Sequence, residues 1–185
     1  TFHNLRRPTA EEQFSDLGAY NGDTIRELLH YTDGKFASVT ALEPDRRSFR
    51  KLNEWASANI TGDVTLVQAG AWNEDTVQCF TDQAGRQSRV AGQGKETQMR
   101  ALDSVLNGRP CTYLKMDVEG AEREAIAGAE KTIRQYAPKL NIAAYHRSED
   151  FFQLPLLIHA LQPSYRLYLR HHPYVPAWDT NLYAI

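Results

Sequence analysis

The chain is poor in cysteine: among 185 residues only Cys79 and Cys111 occur, and no C-x-x-C spacing joins them. That excludes the disulfide framework on which small secreted domains depend, and the cytoplasm is the simplest compartment. Long apolar runs are missing as well. The best candidate, Leu154 to Leu161, is interrupted by Pro155 and His159 and falls far short of the ~20 residues of a membrane span. No charge dominates either, since 21 Lys+Arg stand against 23 Asp+Glu, mixed along the chain rather than blocked. A nucleic-acid or anionic-membrane footprint is therefore not expected. The length suits one domain over residues 1–185, and because the chain starts at Thr1 without a charged-then-apolar leader pattern, a missing N-terminal portion is expected.

What is present alternates strand-type apolar stretches with amphipathic helix-type stretches, the pattern of a parallel sheet covered on both faces. Strands are predicted at Gln13 to Leu17, Ser38 to Leu42, Val64 to Ala69, Thr112 to Met116 and Leu140 to Tyr145. Between them, helices are predicted from Asp23 to Tyr31, from Asp45 to Asn59 with Asp45 as N-cap, and from the Glu119 region to Tyr136, where Pro138 stops the last of these. A further helix covers Asp150 to Leu161, and Tyr165 to Arg170 with Thr180 to Ile185 make a closing antiparallel pair. The Gly- and Gln-rich stretch from Asp82 to Gln98, flanked by strand-like Thr76 to Phe80 and Thr97 to Leu102, reads as a hairpin or flap inserted within residues 75–100.

The most informative segment is Asp16-Leu-Gly18-Ala19-Tyr20-Asn21-Gly22-Asp23-Thr24, followed by Glu43-Pro44. Strand, glycine turn, helix, second strand and terminal acid form the layout that binds an adenosine-containing cofactor at the edge of a parallel sheet. From Gly18 the next glycine is Gly22, so the middle glycine that lets a backbone press against a pyrophosphate is absent. A cofactor without phosphate fits better, and S-adenosylmethionine has none. The two glycines would bring the turn close to the ligand, the following helix N-terminus would face its carboxylate, Asp16 its ammonium group and Glu43 both ribose hydroxyls. Ala69-Gly70-Ala71, after the third predicted strand, offers small side chains for an adenine ring.

Lys115, Asp117, Glu119 and Glu122 crowd the carboxyl end of the fourth predicted strand, the edge at which open parallel sheets bind ligands. A lysine between Leu114 and Met116 is costly to bury unless paired, so Lys115 should meet a carboxylate. Asp117 and Glu119 could position an acceptor or take its proton, while Glu122 reads as an acid complementing a helix dipole. His146 follows the fifth strand and is a candidate general base. Asp117, Glu119 and His146 also make a loose two-carboxylate, one-histidine set, but no metal is assigned. Arg170, His171 and His172 could bind an acidic substrate group.

With these residues laid out, the chain resembles the FkbM family of S-adenosylmethionine-dependent methyltransferases. The resemblance rests on Asp16-Leu-Gly-Ala-Tyr-Asn-Gly-Asp-Thr24, Ala41-Leu-Glu-Pro-Asp45, Leu102-Asp103, Leu114-Lys-Met-Asp-Val-Glu-Gly-Ala-Glu122, Gly128-Ala-Glu130, Pro138-Lys-Leu140, Tyr145-His-Arg147, Tyr168-Leu-Arg-His171 and Leu182-Tyr-Ala-Ile185. It implies an α/β, Rossmann-like, doubly wound and mostly parallel seven-stranded sheet with an antiparallel C-terminal strand, the class I methyltransferase fold. It also implies O-methylation of a hydroxyl on a small molecule, sugar or glycan. The expected roles are Asp117 organising the acceptor end, Glu119 or His146 as base, and Lys115 steadying the developing alkoxide. A homodimer is the assembly considered. Two readings compete: a binding domain that kept the cofactor pocket but lost turnover, and a nicotinamide-dependent oxidoreductase, against which the missing G-x-G-x-x-G argues.

Overall fold

The computed structural model describes residues 8–80, 95–171 and 180–185. In chain order the elements are β1 (Gln13–Leu17), α1 (Asp23–Tyr31), β2 (Ser38–Leu42), α2 (Arg46–Asn59), β3 (Val64–Val67), β4 (Gly70–Ala71), β5 (Thr76–Phe80) and β6 (Lys95–Arg100). They continue with α3 (Leu102–Leu106), β7 (Tyr113–Met116), α4 (Glu122–Ala127), α5 (Glu130–Tyr136), β8 (Lys139–Ala143), α6 (Asp150–Leu161), β9 (Leu167–His171) and β10 (Thr180–Ala184).

Seven strands form one sheet in the order β3-β2-β1-β7-β8-β10-β9. The pairings from β3 through β8 are parallel, and β10 runs antiparallel to both β8 and β9. Strands buried on both faces read as apolar runs, and here each face has its own core. Ile25 and Leu28 of α1 and Leu52 of α2 pack with Phe14, Val39 and Tyr113 on one side. Leu17, Leu114, Met116 and Ile142 pack with Ile126, Ile133 and Leu154 of the later helices on the other. The Asp45 carboxylate caps α2 by accepting from the Arg47 and Ser48 amides at 3.0 and 2.9 Å. The order in which strands are added reverses between β1 and β7, which makes their carboxyl ends the crevice where doubly wound sheets take ligands.

Several boundaries differ from the sequence reading, each for a physical reason. The third predicted strand stops at Val67 because Gly70 and Ala71 leave the main sheet to pair with β6. β5 and β6 pair antiparallel, while the connection of the expected flap, residues 81–94, lies outside the described residues. Leu102 begins a short helix instead of ending a strand. The helix expected to reach Tyr136 is two helices that meet at Gly128 and Ala129, and at Gly128 the Trp72 carbonyl comes so near that a Cβ would lie 1.9 Å from its oxygen. Asp103 then caps the second piece, accepting from the Lys131 and Thr132 amides at 2.9 Å each. No helix among the described residues is long and apolar enough to cross a membrane.

Candidate functional site

At the end of β1 the expected lysine pair forms. Lys115 Nζ lies 3.0 Å from Asp16 Oδ1 and donates to the Gly18 carbonyl at 2.7 Å. Asp16 is fully buried, and among the described residues neither of its oxygens has a well-formed hydrogen bond. Burial pushes the Asp16 pKa up against the pull of Lys115, whereas at Lys115 the downward effect of burial is outweighed by Asp16 and Asp117. Lys115 is thus a strut between β7 and the first turn, and its ammonium faces Asp16 rather than the open edge. The expected contact with a developing alkoxide gains no support from that geometry.

The glycines of the turn answer to the protein rather than to a ligand. Gly18 has φ +80, and a Cβ there would sit 1.9 Å from the Asp117 carbonyl oxygen, so β1 and β7 touch at this point. Gly22, at φ +85, would drive a Cβ to 2.9 Å from Leu52 and 3.0 Å from the Trp55 ring. Between them Ala19 is buried, Tyr20 is exposed at φ +49, and Asn21 accepts from Arg26 at 3.2 Å. Thr24 is buried, and its amide donates to Asp23 Oδ1 at 2.8 Å. A carboxylate therefore already sits at the α1 N-terminus, where it repels a pyrophosphate and competes with the cofactor carboxylate expected there.

Glu43 is buried at the end of β2, with each oxygen already holding one backbone amide: Tyr20 N–H to Oε2 and Asp45 N–H to Oε1, both at 2.8 Å. A carboxylate has about four lone-pair sites, so two remain for ribose hydroxyls. Burial pushes the Glu43 pKa up to about 7 despite those two donors. Ala69, Gly70 and Ala71 are buried, and a Cβ on Gly70 would lie 2.7 Å from the Met99 sulfur, so this segment serves the packing of β4 on β6 and offers little open surface to an adenine. A surface cavity of about 450 Å³ on α2, lined by Arg46, Arg47, Phe49, Arg50, Asn53 and Gln68, shares no residue with this edge.

The ends of β7 and β8 converge on His146. Its Nδ1 lies 2.8 Å from Glu122 Oε1, and its Nε2 lies 3.5 Å from Asp117 Oδ1 and 3.4 Å from Glu119 Oε2. Burial works against charge on this ring, but hydrogen bonds to Glu119 and Glu122 and the charges of Glu122 and Asp117 carry its pKa up to about 10. Asp117 accepts from the Tyr145 hydroxyl at 3.2 Å, and burial raises its pKa although Lys115 and His146 pull it down. Asp117, Glu122 and His146 offer ligand atoms within 4.8 Å of one another. An imidazolium in direct contact with the carboxylates accounts for that grouping without an ion. Arg170 and His171 are exposed on the edge strand β9, two strands beyond β8, where His171 Nδ1 lies 3.2 Å from Thr180 Oγ1. They do not join the cluster, and His172 lies outside the described residues.

The Methyltransferase FkbM domain family matches residues 16–176. The chain belongs to the FkbM methyltransferase family. Among solved structures it is similar to a methyltransferase FkbM from Methylobacillus flagellatus, with 30% identity and a TM-score of 0.81 over 98% of this chain. The match takes in only 45% of that protein, so the present chain spans less than half of its relative's length. An rRNA methylase from Streptococcus thermophilus (TM-score 0.62, 15% identity, 96% of this chain and 88% of that one) shares the fold. So does the fibrillarin of Aeropyrum pernix, solved with natively bound S-adenosyl-L-methionine (TM-score 0.62, 12% identity, 100% of this chain and 71% of that one). No curated protein matches the chain.

Within this FkbM domain the structure adds two residues to the site. Glu122, read from sequence as a dipole acid, is 1% exposed and hydrogen-bonded to His146. Tyr145, passed over beside a histidine, reaches Asp117. One sequence signal was available for Glu122: Gly120 permits a sharp reversal after β7, and a reversal there returns the next acid toward the same strand end.

Proposed function

We propose that this FkbM domain methylates a hydroxyl on a small molecule, sugar or glycan, with S-adenosylmethionine as donor. When bound, the donor supplies an electrophilic sulfonium methyl, so the residues around it have chiefly to align the acceptor oxygen and take its proton. An edge carrying Asp16, Glu43, Asp117 and Glu119 fits a ligand bearing positive charge and no phosphate. Asp16, buried with its oxygens poorly satisfied, would hold the donor's ammonium group, and Glu43 its ribose hydroxyls. Asp117, steadied by Tyr145, organises the acceptor end. Of the two candidate bases Glu119 is favoured, because His146 stays protonated at neutral pH. Glu119 is also the more exposed of the two, with 45% of its side chain open against 10% for His146.

The observation that carries this reading is the convergence of Asp117 and Glu119 on His146 Nε2, at 3.5 and 3.4 Å, at the β7 and β8 ends of a methyltransferase domain. The test is transfer of labelled methyl from S-adenosylmethionine to a panel of methyl glucoside, methyl rhamnoside and nitrocatechol, with Glu119→Gln beside the wild type. Wild-type transfer that falls ~10²-fold in the variant, with donor affinity unchanged, supports the assignment. Donor binding without any transfer would favour the non-catalytic binding domain, and binding of NAD in its place would favour the oxidoreductase.

A further inference from the structure

We propose that Glu122 is the positioning residue of this methyl-transfer site, fixing the His146 ring so that Nε2 is turned to Asp117 and Glu119. The inference rests on the reading of those carboxylates given above. It starts from the backbone: Glu119 and Gly120 both have positive φ, +56 and +94, a conformation that disfavours the glutamate. Two such residues in succession reverse the chain after β7 and bring Glu122 back beneath Val118, whose amide donates to Glu122 Oε1 at 3.1 Å. The same oxygen accepts Nδ1–H of His146 at 2.8 Å.

Glu122 is 1% exposed, and its hydrogen-bonded oxygen is shared between the Val118 amide and the His146 ring, so it acts on the site through that ring. Its second oxygen is buried with no hydrogen-bond partner among the described residues. An anion so placed needs a counter-charge, and among the described residues the candidates around it are few. Arg123, on the same helix, is turned to Glu149 and Asp150. Asp150 is itself a buried acid, which leaves the imidazolium of His146 as the partner in direct contact. The ring is thus held on one nitrogen by Glu122 and presents the other to Asp117 and Glu119, with the Tyr145 ring 4.3 Å away on its own segment. Lys115 acts on this cluster through Asp117, and Arg147, next in sequence to His146, is exposed. A carboxylate that fixes a histidine through one ring nitrogen is a recurrent device; here the held Nε2–H steadies Asp117 and Glu119 rather than taking a proton.

The experiment follows the histidine itself. In ¹⁵N-labelled protein, His146 should keep both ring N–H groups through pH 8, and in Glu122→Gln its titration midpoint should fall by roughly two pH units. Glu122→Asp, which restores the charge, should recover part of that change. Calorimetric affinity for S-adenosylmethionine should stay the same in Glu122→Gln, while transfer to the panel named above falls ~30-fold. An unchanged His146 titration in folded Glu122→Gln would overturn the proposal, as would unchanged transfer. Should that variant fail to fold, the wild-type spectrum decides: a His146 ring carrying a single N–H at pH 8 overturns it. A wild type that transfers no methyl counts against the methyltransferase reading instead, and the titration still tests Glu122.

Discussion

Acidification should weaken S-adenosylmethionine binding through Glu43. In the free protein burial holds this carboxyl at about pH 7, while donation from ribose hydroxyls favours the ionised form, so binding lowers its pKa and releases a proton. If only the ionised form binds, the competent fraction rises from ~3% at pH 5.5 to ~76% at pH 7.5, an affinity gain of ~25-fold or ~1.9 kcal/mol. Titration calorimetry at pH 6.5 in buffers of different ionisation enthalpy should also report release of ~0.8 proton per donor bound. The raised pKa values of Asp16 and Asp117 push in the same direction, so Glu43→Gln isolates the contribution of Glu43. That variant should bind more weakly at pH 7.5 and show a shallower pH dependence. The free fold responds with the opposite sign: a carboxyl whose pKa rises from 4.5 to about 7 on folding adds stability below pH 4.5 that is lost as pH rises through 7. Equal wild-type affinity at pH 5.5 and 7.5, or a slope that Glu43→Gln leaves unchanged, would refute the reasoning.

Two predictions concern the scaffold. Gly18→Ala should lower stability in chemical denaturation by more than ~2 kcal/mol, against ~1 kcal/mol for Gly34→Ala. Both sites have positive φ, but only Gly18 has a carbonyl in the way, so equal losses would sink the close-approach argument. Asp103→Ala should cost ~1 to 2 kcal/mol by uncapping α5, read as a lower urea midpoint, and an unchanged midpoint would show that α5 holds its own start.

The outer frame of the fold was legible because its signals are local. β1, α1, β2 and α2 fall where apolar runs, Gly22 and Asp45 place them, since a strand buried on both faces and an amphipathic helix with a start signal each leave a mark within a dozen residues. The break at Gly128 was not legible, because a glycine inside a helical pattern looks the same whether or not a distant carbonyl presses on it. The site divides in the same way. That Glu43, Asp117, Glu119 and His146 lie at strand ends follows from element order alone. Which of them faces which does not: Glu43 turned out to hold two backbone amides, Lys115 to brace the first turn, and Glu122 to grip His146. Those partners come from segments that only the tertiary structure brings together.

The Lys115 strut also sets a clock on assembly. The lysine and the Gly18 carbonyl that it grips are 97 positions apart. During synthesis at ~5 to 20 residues per second, the first turn therefore exists for roughly 5 to 20 seconds before its brace has been made. Over that interval β1, α1, β2, α2 and β3 can gather most of their own apolar cluster. During synthesis the buried pair at the heart of the site can therefore close only after β7 has been made and can pair with β1.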